Sequence, residues 1–357
     1  MAVSPSRWRC SMAPTTVSGA TNDRTDVAAC ALTIRLPRLT KDNLWTRAVG
    51  RRPTSASSID RLRSALHGVG ITPVTPFTDD LSRVDVAGLR RNLEFLVDAG
   101  ATLLYPCGNT GEFPALSLDE WSQIVEVTVE VAGGRCVVAP GVGHGFGVAR
   151  EQMRRAADLG AAGVLAMPPN LVYPADEGVI GYYGGLADTE LLPVVVYRKG
   201  GWPTNTGLPV LFTEHDIAGV KYGEHDVSAL ADMVAATPTG PVWTCGTAER
   251  YAPYFFEAGA VGFTSGLANA APRLALDMYA ALASGDMARA LEIRETCVPF
   301  EALRARHASA NNVPAVKVAM ASVGLVGGRV RPPMRDLSPA EADEVRSMVA
   351  AWPDAAS

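Results

Sequence analysis

The chain has 357 residues, 48% of them hydrophobic and 19% charged, with a formal net charge of −5. A composition this apolar and this sparsely charged excludes a disordered or coiled-coil protein, which needs the reverse balance. The length admits two ordinary domains or one large α/β domain with added helices.

Charge is unevenly placed along the chain. Residues 1–64 carry eleven basic side chains against Asp23, Asp26, Asp42 and Asp60, a net of +7, which leaves −12 on the remainder. An acidic remainder gives no reason to expect nucleic acid or an anionic membrane as partner. No 18-residue window is uninterruptedly apolar, and the N-terminus lacks the apolar core of a secretory leader, so a cytoplasmic location is expected. Cys10, Cys30, Cys107, Cys136, Cys245 and Cys297 show neither Cys-x-x-Cys nor Cys/His ligand spacing. They read as reduced thiols, with no disulfide framework and no metal site.

In chain order, residues 1–64 mix Arg, Ser, Thr, Pro and Ala without sustained apolar periodicity and read as a disordered extension or an upstream-called start, with no catalytic role. From Leu66 onward short apolar runs alternate with helical patterns. The runs predict strands at 70–73, 102–105, 136–139, 163–167, 193–197, 217–221, 242–245 and 261–264. Helices are predicted at 85–99, where Val86, Leu89, Leu93, Leu96 and Val97 share a face, and at 117–132, opened by a capping box at Ser117 and Glu120. Others follow at 147–159, 175–187, 208–213, 226–236, 248–258 and 272–283. Strands alternating with helices imply a parallel sheet, and eight such units over 65–285 fit a (β/α)8 barrel. An open doubly wound sheet is disfavoured because no Gly-x-Gly-x-x-Gly follows the first strand. Helical patterns at 286–301, 314–323 and 339–350 make residues 286–357 a helical extension, expected to pack on the barrel flank and on a neighbouring copy in a dimer or tetramer.

Barrel active sites form at the C-terminal strand ends, so those ends locate the chemistry. Lys221 closes the apolar run Ile-Ala-Gly-Val-Lys. A buried ammonium there either pairs with an acid such as Glu224 or loses its proton readily, and a neutral amine attacks a ketone to form a Schiff base. Tyr197 ends the preceding strand, where its phenol can relay a proton. The loop Gly108-Asn109-Thr110-Gly111-Glu112 offers N–H groups and a hydroxyl that suit a carboxylate.

These residues, with Thr72-Pro73-Val74-Thr75-Pro76-Phe77, Gly219-Val220-Lys221 and Arg331-Pro332-Pro333, resemble the dihydrodipicolinate synthase and N-acetylneuraminate lyase superfamily of class I aldolases over about residues 69–337. The resemblance implies Lys221 as Schiff-base former and Tyr197 as proton relay. It further implies that Gly108, Asn109 and Thr110 hold the keto acid's carboxylate, with Thr110 counted among the catalytic residues beside Lys221 and Tyr197 and Thr75 close to the same site. Trp202 stands where the synthase pattern has an arginine, and Leu171 where it has a second tyrosine. The 5-dehydro-4-deoxyglucarate dehydratase subgroup is similar in Pro168-Pro169-x-Leu171, Thr247-Ala248-Glu249, Ser265 with Asn269, and Val330-Arg331-Pro332-Pro333-Met334. The subgroup's Asn-Arg-Asp-Asn segment is replaced by Arg198-Lys199-Gly200-Gly201, and Asn109 replaces a glycine. A Schiff-base-forming lyase acting on a keto (sugar) acid, a decarboxylating dehydratase of the 5-dehydro-4-deoxyglucarate type, is implied, without metal or cofactor, with Arg198, Lys199, Ser265 and Asn269 expected to hold a distal carboxylate and hydroxyls. A retro-aldol lyase or synthase is the alternative within the class, and a catalytically inactive ligand-binding barrel the alternative outside it.

Overall fold

The computed structural model describes residues 56–169 and 173–353, so most of the expected extension, Cys10, Cys30 and Leu171 lie outside the described residues. The strands are β1 (Val69–Ile71), β2 (Leu103–Leu104), β3 (Val137–Val138), β4 (Gly141–Val142), β5 (Val164–Ala166), β6 (Val194–Arg198), β7 (Gly219–Tyr222), β8 (Val242–Cys245) and β9 (Gly262–Ser265). All pair in parallel, in the order β3-β2-β1-β9-β8-β7-β6-β5-β4. The two ends of that order are halves of one strand, interrupted at Pro140, which has no N–H to give the ladder. The ladder continues across the break: Ala139 N donates to Leu104 O on one side, and Leu165 N donates to Pro140 O on the other. The sheet therefore closes on itself as an eight-stranded barrel, as the alternation of strand and helix predicts.

The crossover helices follow the sequence pattern closely. Val86–Asp98 is capped by Asp85, and Leu118–Ala132 opens on the expected reciprocal box of Ser117 and Glu120. Phe146–Asp158, Asp176–Ala187, Gly207–Glu214, Val227–Ala236 and Pro272–Ala283 come next. The helix expected at 248–258 is reduced to Ala252–Glu257, because Ala248 takes a left-handed backbone (φ 63°) and cannot begin a helical turn. Beyond the barrel, Met287–Arg304 packs on Pro272–Ala283, while Asn312–Ser322 packs on Pro339–Ala350.

One stretch assigned to the N-terminal extension is folded. Ala56–Leu66 is a helix whose Ile59, Leu62 and Leu66 are buried. Leu62 lies against Gly163 and Leu66 against Gly219, where an added Cβ would come within 2.5 Å and 2.4 Å of their methyl carbons. These glycines stand at the starts of strands, so the helix plugs the N-terminal mouth of the barrel. Its apolar residues recur at helical spacing, but Arg61 and Arg63 between them blend into the basic segment upstream. Among the described residues no helix is long and apolar enough to cross a membrane, and Cys107, Cys136, Cys245 and Cys297 are free and buried.

Candidate active site

Strands buried on both faces read as continuous apolar runs, and the Val-Val-Val of β6 is one. Register sets Tyr197 opposite Lys221, and Lys221 opposite Thr244 on β8. Side chains alternate along a strand, so these three share one face while Arg198 and Tyr222 take the other. Tyr222 packs on Trp243 and on Phe255 of the helix outside the barrel, which identifies the Lys221 face as the lumen.

Within the lumen, Lys221 Nζ stands 4.2 Å from the centroid of the Tyr197 ring. Burial pulls the amine down to about 8, and the positive charges of Lys199 and Arg304 act in the same direction. Among the described residues no carboxylate forms an ion pair with it. The Tyr197 hydroxyl accepts from Asn109 Nδ2 at 3.4 Å, and its backbone carbonyl accepts from the Tyr183 hydroxyl at 3.1 Å. Burial, reinforced by the charge of Glu224, pushes the Tyr197 phenol up to about 12, so it keeps its proton at neutral pH.

The Gly108–Glu112 loop, following β2, sits beside this pair. Gly108 is pressed against Thr72, where a Cβ would lie 2.6 Å from a methyl, and Gly111 against the carbonyl of Pro73. Thr75 Oγ1 donates to Gly111 O at 2.8 Å, tying the first strand's extension to the loop. Thr110 is buried and Asn109 exposed. The N–H groups of Asn109, Thr110 and Gly111 have no acceptor among the described residues, which leaves a row of donors suited to an anion. Cys107 and Glu112 bracket the loop in left-handed backbone, φ 56° and 58°. For non-glycine residues that conformation costs about 1–3 kcal/mol each and persists only where the surroundings enforce it. At Glu112 the surroundings include Lys317, 2.6 Å away and buried, a partner that sequence reading missed because it lies in the C-terminal extension.

The structure therefore gathers Lys221, Tyr197, Asn109, Thr110, Gly108 and Thr75. Three other expected site residues turn to different partners. Arg198, on the outer face of β6, lies 5.0 Å over the Tyr222 ring. Its guanidinium donates to Pro203 O at 3.3 Å and Asn205 Oδ1 at 3.0 Å, and so shapes the loop after β6. Ser265 likewise faces outward, because Gly262 is paired with the lumen residue Thr244 and lies three positions before it. The Ser265 hydroxyl is hydrogen-bonded to Glu249, whose carboxyl is pushed up to about 8, by burial first and by Glu301 second. Asn269 spends its whole amide on backbone, accepting from Val74 N at 2.9 Å and donating to Thr72 O at 2.9 Å and Gly266 O at 3.0 Å. It clamps the loops after β1 and β9 together. Lys199 stays at the mouth: exposed, it crosses Gly223 next to Tyr197 and donates to Gly223 O at 2.7 Å. An open cleft of about 660 Å³, lined by residues such as Leu81, Ser117, Glu120, Gln123 and Arg331, includes none of the lumen residues.

Residues 65–352 match the family model described as the dihydrodipicolinate synthetase family. A probable 5-dehydro-4-deoxyglucarate dehydratase of Streptomyces avermitilis is 34% identical over 301 residues, covering 83% of this chain and 90% of its own. A 4-hydroxy-tetrahydrodipicolinate synthase of Methanopyrus kandleri is 32% identical over 278 residues, covering 75% and 90%. Among solved structures, the dihydrodipicolinate synthase of Bacillus clausii aligns with a TM-score of 0.79 at 35% identity, over 82% of this chain and 99% of that one.

Proposed function

This chain belongs to the dihydrodipicolinate synthetase family, and we propose that it acts there as a Schiff-base-forming lyase on a keto acid, specifically as a decarboxylating dehydratase of the 5-dehydro-4-deoxyglucarate type. The observation that carries this reading is Lys221: a buried amine without a carboxylate partner among the described residues, against the face of a strand-end tyrosine. At a pKa of about 8, about a tenth of the amine is unprotonated at pH 7, against roughly one part in three thousand for an ordinary lysine.

The neutral amine attacks the ketone beside the substrate carboxylate, which the Asn109–Gly111 donors hold. Tyr197 gives its proton to the carbinolamine oxygen, which leaves as water, and a protonated imine remains on Lys221. The imine acidifies the adjacent methylene, whose proton passes to the Tyr197 phenolate; the resulting enamine expels the β-hydroxyl, which takes that proton from Tyr197 and leaves as water. The conjugated iminium then accepts the electron pair released when the distal carboxylate departs as CO2. Reprotonation and hydrolysis return Lys221 to the amine. Lys199, at the mouth, supplies a positive charge for the distal carboxylate.

A retro-aldol or synthase reaction on pyruvate shares the enamine, and the relatives named as synthases favour it as the second reading. Trp202 counts against lysine-type synthesis, because it occupies the position where the synthase pattern places an arginine for the second substrate. The test is borohydride reduction in the presence of a keto acid. Wild type is expected to gain the ligand's mass at Lys221 and Lys221→Ala to gain none; an unlabelled wild type defeats the Schiff-base reading. Stoichiometric CO2 from 5-dehydro-4-deoxyglucarate supports the dehydratase, whereas free pyruvate supports the retro-aldol reaction instead.

A further inference from the structure

Glu112 closes the anion-binding loop, and its carboxylate is wholly inaccessible to solvent. Oε1 lies 2.6 Å from Nζ of Lys317, and Oε2 accepts from Arg331 N at 2.9 Å. Lys317 belongs to Asn312–Ser322, outside the eight β/α units. Its Nζ also donates to Arg329 O at 2.6 Å and stands 4.8 Å over the Phe77 ring. Arg331 grips Glu120 through two bonds of 2.6 Å and 2.8 Å, with its guanidinium 4.0 Å over the same Phe77 ring. Gly327 lets this C-terminal strap run against the helix, since a Cβ there would lie 2.0 Å from Lys317 O. The end of the loop is thus bolted to a helix and a strap that the barrel does not need for closure.

Stability is a poor reason for such a pair. Two buried charges lose their hydration, and well-packed apolar side chains of similar volume often do as well or better. Here burial pushes the Glu112 carboxyl up and the Lys317 amine down in spite of their mutual attraction. What a charge pair supplies and an apolar pair does not is direction, and direction is what a loop bracketed by two left-handed non-glycine residues requires.

We propose that the Glu112–Lys317 ion pair is a positioning device for the keto-acid carboxylate subsite, holding Asn109, Thr110 and Gly111 at the geometry that sets carboxylate affinity without touching the substrate. The proposal rests on the reading of that loop as the carboxylate subsite. Its test uses the full chain as wild type, Lys317→Met, Glu112→Gln/Lys317→Met and Lys317→Arg. Borohydride trapping is followed against pyruvate concentration, alongside amide hydrogen exchange of residues 108–112. In Lys317→Met and the double variant, half-saturating pyruvate rises tenfold or more, while the limiting trapping rate stays within threefold because Lys221 is untouched. Exchange at 108–112 accelerates in both, and Lys317→Arg returns both readouts to within threefold of wild type. A folded Lys317→Met or double variant with wild-type half-saturation and wild-type exchange overturns the proposal; so does a loss of limiting rate at unchanged half-saturation. If Lys317→Met does not fold, the double variant, which leaves no unpaired buried charge, carries the test. If 5-dehydro-4-deoxyglucarate labels the wild type and pyruvate does not, it replaces pyruvate in the titration; a wild type that neither labels refutes the Schiff-base reading, and the exchange measurement then decides the positioning claim alone.

Discussion

Replacing Lys221 by Met should stabilise the protein while abolishing its chemistry. The wild-type amine is held from its ordinary 10.5 down to about 8, chiefly by burial. At about 1.4 kcal/mol per pKa unit, the protonated native state carries roughly 3 kcal/mol that the unfolded chain does not. That value already includes the ammonium's contact with the Tyr197 ring, so the unbranched, similarly shaped Met, which carries no charge to bury, should gain up to roughly 3 kcal/mol at pH 7. The sign with pH follows from which state binds the proton more tightly. Below the folded value near 8 both native and unfolded lysines are protonated and the penalty is complete. Between 8 and 10.5 the unfolded lysine keeps its proton while the native one has lost it, so wild-type stability climbs relative to the variant and the penalty vanishes above 10.5. Urea unfolding of both proteins at pH 7 and pH 10 measures this directly. The variant's advantage should be present at pH 7 and nearly gone at pH 10. A variant less stable than wild type at pH 7, or an advantage equal at the two pH values, would show that Lys221 is not a strained, desolvated base.

Tyr197→Phe removes the proton donor and keeps the ring beneath Lys221; turnover should fall by about 10²–10⁴, with borohydride labelling slowed but not lost. Leu62→Ala opens a cavity under the helix that plugs the barrel and should cost about 2–5 kcal/mol in chemical denaturation with the Lys221 labelling pattern unchanged. Lys199→Met takes away a positive charge that depresses the Lys221 amine, so the pH midpoint of labelling should move up and the rate at pH 7 should drop; an unmoved midpoint would separate Lys199 from the site. Asn269→Ala frees the backbone of Thr72 and Val74 from their shared partner and should lower stability by about 1–3 kcal/mol, whereas a change confined to substrate affinity would restore Asn269 to the site itself.

The strands were legible because parallel barrel strands are buried on both faces and leave apolar runs in the sequence; all eight runs coincide with strands or strand halves. Lys221 and Tyr197 were legible for a related reason: a lysine or tyrosine that ends such a run is conspicuous, and the register between β6 and β7 sets them side by side. Arg198 and Ser265 misled because proximity in sequence to a strand end does not say which face a side chain takes. One step along a strand reverses it, and both residues fall on the outward parity. The helix Ala56–Leu66 was hidden by composition, its three buried residues being interleaved with arginines of the segment before it.

Local pattern was enough for the barrel, its helix caps and the lysine that would carry the chemistry, since each depends on hydrophobic period or on residue type at an element's end. Folding in three dimensions was needed for everything that depends on parity and on distant partners. It turned Asn269 from a candidate ligand into a clamp, lowered the Lys221 amine by enclosing it, and brought Lys317 from the C-terminal extension against Glu112. Desolvation and ion pairing are properties of the packed interior, and no stretch of the chain read alone carries them.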